Sequence, residues 1–135
     1  MVFAPHLAGA ELDQLAERVR LAMNQAPVVL DNGTAVETTV SIGYAAFPLP
    51  ASHVEVTWDQ AVNLADLSLY TAKSQGRNCA VGIVRTTAGS SAALRAAEAD
   101  IAQARQDGRV TLRVTPAPPS GRVTTPGDPA AARAA

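Results

Sequence analysis

From Glu11 to Ala26 the apolar residues Leu12, Leu15, Ala16, Val19, Ala22, Met23 and Ala26 recur every three or four positions, the period of one helix face. The other face carries Glu11, Asp13, Gln14, Glu17, Arg18 and Arg20, with the acids biased to the first turns, where the helix dipole favours them. Pro27 stops this helix. Val28, Val29 and Leu30 follow, then Asp31, Asn32 and Gly33, which tolerate positive φ and predict a reverse turn. The return strand alternates Val36, Thr38, Val40, Ile42 and Tyr44 with Glu37, Thr39, Ser41, Gly43 and Ala45, so its second face is small and polar. Pro48 and Pro50 end it, and Leu49 to Val56 reads as a connecting loop that carries His53.

Thr57 and Gln60 form a T-x-x-Q capping box with Asp59 in the first turn, and announce a second helix from Trp58. Trp58, Ala61, Val62, Ala65, Leu69 and Ala72 form its apolar stripe, and Gly76 supplies the left-handed residue that commonly ends a helix. Cys79 to Val84 is a short apolar strand. Two helices on one face of a largely antiparallel sheet follow from this order, which is an α+β class. After Arg85 the composition turns to Thr, Ala, Gly and Ser. Leu94, Ala97, Ile101 and Ala104 then predict a third, weaker helix, and Val110, Leu112 and Val114 a short strand. Three segments result: a folded unit over 1–85, a linker with a weak helix and short strand over 86–115, and a Pro/Ala-rich tail over 116–135 expected to be disordered.

Composition narrows the partners. With 17% charged residues, a formal net charge of −1 and no lysine or arginine run, the chain has no electrostatic footprint for nucleic acid or an acidic membrane surface. No apolar run approaches the ~20 residues needed to span a bilayer. Cys79 is the single cysteine, so no intrachain disulfide forms and no zinc-ligand spacing exists; a reducing cytoplasm is the expected location. His6 and His53 fall in separate loops with no serine or cysteine spaced to make a nucleophile and base. Tyr44, Tyr70 and Trp58 are too scattered for a base-stacking platform.

Three stretches together resemble the second half of a GGDEF domain: Leu15-Ala16-Glu17-Arg18-Val19-Arg20, Thr39-Val40-Ser41-Ile42-Gly43-Tyr44-Ala45, and the run from Ala65-Asp66-Leu67-Ser68-Leu69-Tyr70 to Gly76-Arg77-Asn78. The last matches the family pattern A-D-x-A-L-Y-x-A-K-x-x-G-R-N, departing only at Ser68, where alanine is usual. The resemblance implies a partial nucleotide-cyclase-like fold, a ferredoxin-like palm with helices packed on its sheet and a C-terminal extension after it. Met1-Val2-Phe3-Ala4-Pro5 resemble the strand that directly follows the GG(D/E)EF signature, so the domain is expected to be cut just after that signature.

Diguanylate cyclases of this family convert two GTP molecules to cyclic di-GMP, a bacterial second messenger. They use magnesium held by carboxylates on the first strand and the signature hairpin. Those elements are not in this sequence, so the resemblance implies no catalytic residue and no cofactor within the chain, and no activity of the chain alone. It implies one carried-over pair, Lys73 and Arg77, which in the family reaches the GTP phosphates. Two clustered cations neutralise a triphosphate, and arginine offers a forked donor set that fits phosphate oxygens. A helix dipole alone also favours cations in a last turn, by ~0.3 to 1 kcal/mol. Weak contact with GTP phosphates is therefore the expected ceiling. The alternative is a non-enzymatic interaction module, in which exposed strand edges pair two copies or join this chain to an intact GGDEF protein. Asp66 is expected to face solvent or pair with a neighbouring cation, Cys79 to be a buried inert thiol, and the small face at Ser41 and Gly43 to serve helix packing.

Overall fold

The computed structural model describes residues 1–2, 4–7, 9–49 and 54–115. His53 and the tail over 116–135 lie outside the described residues, as does Phe3. The elements are helix α1 (Ala10–Asn24), strands β1 (Val28–Val29), β2 (Ala35–Val36) and β3 (Ile42–Ala45), helix α2 (Trp58–Ser74), strand β4 (Ala80–Thr86), helices α3 (Ser91–Ala99) and α4 (Ile101–Gln106), and strand β5 (Val110–Thr115). The protein is α+β. Met1 and Val2 are exposed and Pro5-His6 form a turn, so the strand expected at the start is not formed among the described residues. A strand that short persists only where a neighbour takes up its backbone N–H and C=O groups.

The turn at Asp31-Asn32-Gly33 forms, with Gly33 at φ 81 and its N–H donating to Leu30 O at 2.8 Å. The ribbon it closes is only two residues deep, pairing Val28 with Val36 and Val29 with Ala35. The expected long return strand is broken after Val36. Its far end, β3, joins a second sheet of order β3-β4-β5. There β3 runs parallel to β4, with Ile42 opposite Ala80 and Tyr44 opposite Gly82, while β4 and β5 are antiparallel. The sheet is thus mixed, with one parallel pairing in an arrangement expected to be largely antiparallel. The cause is the connection: a helix of 17 residues carries the chain back to the starting end, which is how adjacent strands become parallel.

Helix α2 begins as the sequence predicts, with the Thr57 side chain accepting from Gln60 N–H and the Gln60 side chain from Thr57 N–H. Its buried line is Ala61, Leu64, Ser68 and Ala72, rotated from the expected stripe, and Trp58 sits at the rim against the Phe47 ring. Ser68 lies outside the apolar stripe of the sequence, yet it is fully buried. Its hydroxyl donates to Leu64 O at 2.8 Å, which satisfies it inside the helix and lets that face turn inward. Gly43 of β3 lies directly under α2, where a Cβ would overlap Leu69 N and Ala65 O. At Gly43 the small face therefore serves close helix packing.

Residues 86–115 join the same core, to which they contribute Leu94, Ala97, Ala104 and Val110 beside Leu64 and Ile83. The expected third helix is two helices, because the Asp100 carboxylate accepts from Gln103 N–H at 2.9 Å and starts α4 afresh.

Helix α1 lies differently from its apolar pattern. Val19 and Met23 are nearly half exposed, and the buried residues are Ala16 and Arg20. The sequence pattern puts Arg20 on the polar face. It is buried because its charge is matched: Nε and Nη2, one guanidinium edge, donate to the two Glu17 carboxylate oxygens at 2.8 and 2.7 Å, and Nη1 reaches Asn78 Oδ1 at 3.0 Å. These bonds hold the Glu17 carboxyl below, and the Arg20 guanidinium above, their ordinary pKa ranges.

Two outcomes follow. Gly43→Ala, whose added methyl meets helix backbone rather than a yielding side chain, lowers stability by about 1–3 kcal/mol, measurable by urea denaturation. A carboxylate depressed in the folded state contributes stability that is present above its unfolded pKa of about 4.3 and lost as pH falls through the folded value. The urea midpoint accordingly drops below about pH 4, and Glu17→Gln, weaker at neutral pH, shows a smaller drop.

Candidate functional site

The end of α2 and the turn after it carry both cations that the sequence singles out. Lys73 occupies the last helical turn and is exposed. The helix then closes on Gly76 at φ 102, with Arg77 N–H donating back to Ala72 O at 3.1 Å, a Schellman-type bond that satisfies a terminal carbonyl. Arg77 is therefore beyond the helix, at φ 64, and Asn78 follows at φ 47. The four-residue spacing of Lys73 and Arg77 does not act as a helical i,i+4 pair, since the left-handed turn sets the second cation. Among the described residues neither side chain takes part in a hydrogen bond or ion pair, so both are open to a ligand.

Behind this exposed turn the groups are buried and matched. Asn78 Oδ1 accepts from Arg20, and Arg20 Nη1 also lies 3.5 Å from the Asn78 carbonyl. Cys79, the next residue, is 2% exposed and its Sγ donates to Ala72 O at 3.3 Å. Burial pushes this thiol above its ordinary pKa, with a smaller opposing pull from Arg20, which makes it an inert packing group.

The remaining candidates lie elsewhere. Asp66 sits on α2 away from the turn, His6 is exposed in a turn near the start of the chain, and Tyr70 is 71% exposed. Tyr44 donates its hydroxyl to Asp13 Oδ1 at 2.6 Å, and Arg113 of β5 pairs with the other Asp13 oxygen. Desolvation raises the Tyr44 pKa. This triad ties three elements together and faces no cavity of ligand size: the cleft beside it, lined by Leu12, Tyr44 and Ile83, holds ≈ 10 Å³, about the room of one water. Among the described residues no three His, Cys, Asp or Glu side chains converge on a metal position.

Sequence reasoning passed over Arg20, Glu17 and Asp13, reading each as part of a solvated face. One signal was present. Arg20 lies at the border of the apolar stripe, four residues after Ala16 and three after Glu17, where a matched cation can turn inward.

No helix among the described residues is long and apolar enough to cross a membrane. No solved structure matches the chain. The uncharacterized protein YhcK of Bacillus subtilis is 39% identical over 79 residues, 56% of this chain and 21% of YhcK. Diguanylate cyclase TpbB of Pseudomonas aeruginosa is 34% identical over 77 residues, 57% of this chain and 17% of TpbB. The matched stretch thus spans about a fifth of the length of these relatives. The family profile described as "Diguanylate cyclase, GGDEF domain" matches residues 1–79, which run from α1 through the ribbon, β3 and α2 to the turn bearing Arg77. The chain belongs to the GGDEF diguanylate cyclase family.

Proposed function

We propose that this stretch is a scaffold portion of a diguanylate cyclase domain. In this reading it presents Lys73 and Arg77 to GTP phosphates and forms no cyclic di-GMP alone. The observation that carries it is the end of α2: two exposed cations without protein partners, one in the last helical turn and one on a left-handed turn whose rear is locked by Arg20. Cations so placed neutralise phosphate charge and help a pyrophosphate leaving group depart. They supply neither a base for the attacking hydroxyl nor a metal to bridge the phosphates. The 135 residues hold no GG(D/E)EF run, which supports binding without turnover. Incubation of the 135-residue chain with GTP and magnesium, followed by chromatography, is expected to show no cyclic di-GMP. Titration with GTP is expected to show weak binding that Lys73→Ala and Arg77→Ala each reduce about tenfold or more, as loss of one charge-assisted contact worth about 1.5–3 kcal/mol would. Cyclic di-GMP formed by the chain alone overturns this reading.

A second reading, pairing with another copy or with an intact GGDEF protein, is supported by exposed apolar residues at the end of α1 and on the ribbon. Val19, Leu21, Met23, Val28, Val29 and Leu30 are 43% to 66% exposed. Light scattering across a concentration series is expected to show self-association; a monomer at every concentration contradicts it.

A further inference from the structure

The buried guanidinium of Arg20 lies behind the turn that presents Arg77, and nothing in the phosphate-binding reading requires it to be there. Gly76, Arg77 and Asn78 are three successive residues at positive φ, of which only the glycine adopts that conformation without strain. Arg77 is disfavoured there and Asn78 tolerates it only with a local hydrogen bond, so each persists only where its surroundings hold it. Arg77 has an exposed side chain and a single backbone bond to Ala72 O. Asn78 has a clamp: Arg20 Nη1 donates to its side-chain oxygen at 3.0 Å, while Glu17 fixes the other guanidinium edge at 2.7 and 2.8 Å. Arg20 is 2% exposed, so a phosphate outside the turn does not reach it.

We infer that Arg20, oriented by Glu17, is a positioning residue: through Asn78 it holds the left-handed turn that aims Arg77 at the GTP phosphates. This rests on the proposed phosphate-facing role of Arg77. It makes the placement of α1 a determinant of phosphate affinity, because Arg20 and Glu17 are one turn apart on that helix. The requirement is for a fork. A single ammonium carries the same charge but cannot grip a carboxylate edge-on and an amide oxygen at once.

The test uses the 135-residue chain labelled with ¹⁵N, GTP with magnesium as the probe, three single variants and the double variant that combines the first two. Arg20→Lys keeps the charge and removes the fork. Asn78→Gly removes the acceptor while tolerating positive φ, so it loosens the turn even if Arg20→Lys fails to fold. Arg77→Ala tests the underlying reading. Arg20→Lys and Asn78→Gly are each expected to weaken GTP binding by about fivefold or more, and the double variant no further, as for two halves of one hydrogen-bonded unit. In nucleotide-free spectra the residue 77 amide is expected to move toward random-coil positions in both, while the amides of Leu64 and Ala72 stay in place.

Unchanged GTP affinity in Arg20→Lys and Asn78→Gly, with Arg77→Ala weakened, overturns the positioning role and leaves the phosphate reading standing. Equal displacement of the Leu64 and Ala72 amides also overturns it, since Arg20 would then support the fold at large. No loss of binding in Arg77→Ala, or no binding by the unaltered chain, removes the phosphate reading and this inference with it.

Discussion

Helix α2 lies so close to β3 that a single hydrogen at position 43 separates their backbones, and the rest of the molecule is arranged around that approach. With the helix pressed onto the strand, Leu64, Ser68 and Ala72 fall into the sheet-facing line and are sealed completely. The chain leaving α2 is then near enough to the strand plane for β4 to enter beside β3 in parallel after a turn of only a few residues. That turn is the one that carries Arg77. The placement of Arg77 is thus a consequence of how deeply the helix sits, which a missing methyl group decides.

The same economy of space recurs one strand over. Tyr44 lies across Gly82, where any Cβ would enter its ring, and the ring can point its hydroxyl to Asp13 only because of that gap. Arg113 of β5 reaches the same carboxylate, so residues beyond the stretch matched to the GGDEF family are bound to its first helix. Their contribution is also apolar: Leu94, Ala97, Ala104 and Val110 complete the core around Ile83. Such a core does not divide at the edge of the family match. Burial of a leucine alone accounts for about 1.5–3 kcal/mol.

Much of this was legible in the sequence where a local rule governs. The capping box at Thr57 and Gln60, the glycine stop at Gly76, the turn at Gly33 and the A-D-x-x-L-Y-x-A-K-x-x-G-R-N run each specify their own geometry within a few residues. The failures are of another kind. The break of the return strand after Val36 depends on β4, which is more than forty residues away and competes for the far half of that strand. Arg20 and Asp13 look solvated by type, and only the fold reveals that Asn78, Tyr44 and Arg113 arrive to satisfy them. Ser68 turns inward because its own helix supplies an acceptor, which a polar-or-apolar reading cannot represent. At the site the family resemblance pointed to Lys73 and Arg77, but that Arg77 lies beyond the helix on a left-handed turn is visible only in the fold.

Helix α1 has a weak apolar hold, with Val19, Leu21 and Met23 nearly half exposed, yet it is fixed at two points by polar contacts. Near its start Asp13 binds Tyr44 of β3 and Arg113 of β5; near its end Arg20 binds the Asn78 turn. Apolar contact is non-directional and would tolerate sliding or rotation of such a helix, whereas hydrogen bonds to a guanidinium and a carboxylate fix both its register and its roll. The two anchors lie on one rigid rod of about two turns between them. In this small unit the polar contacts, rather than the apolar stripe that announces the helix in the sequence, determine where α1 sits.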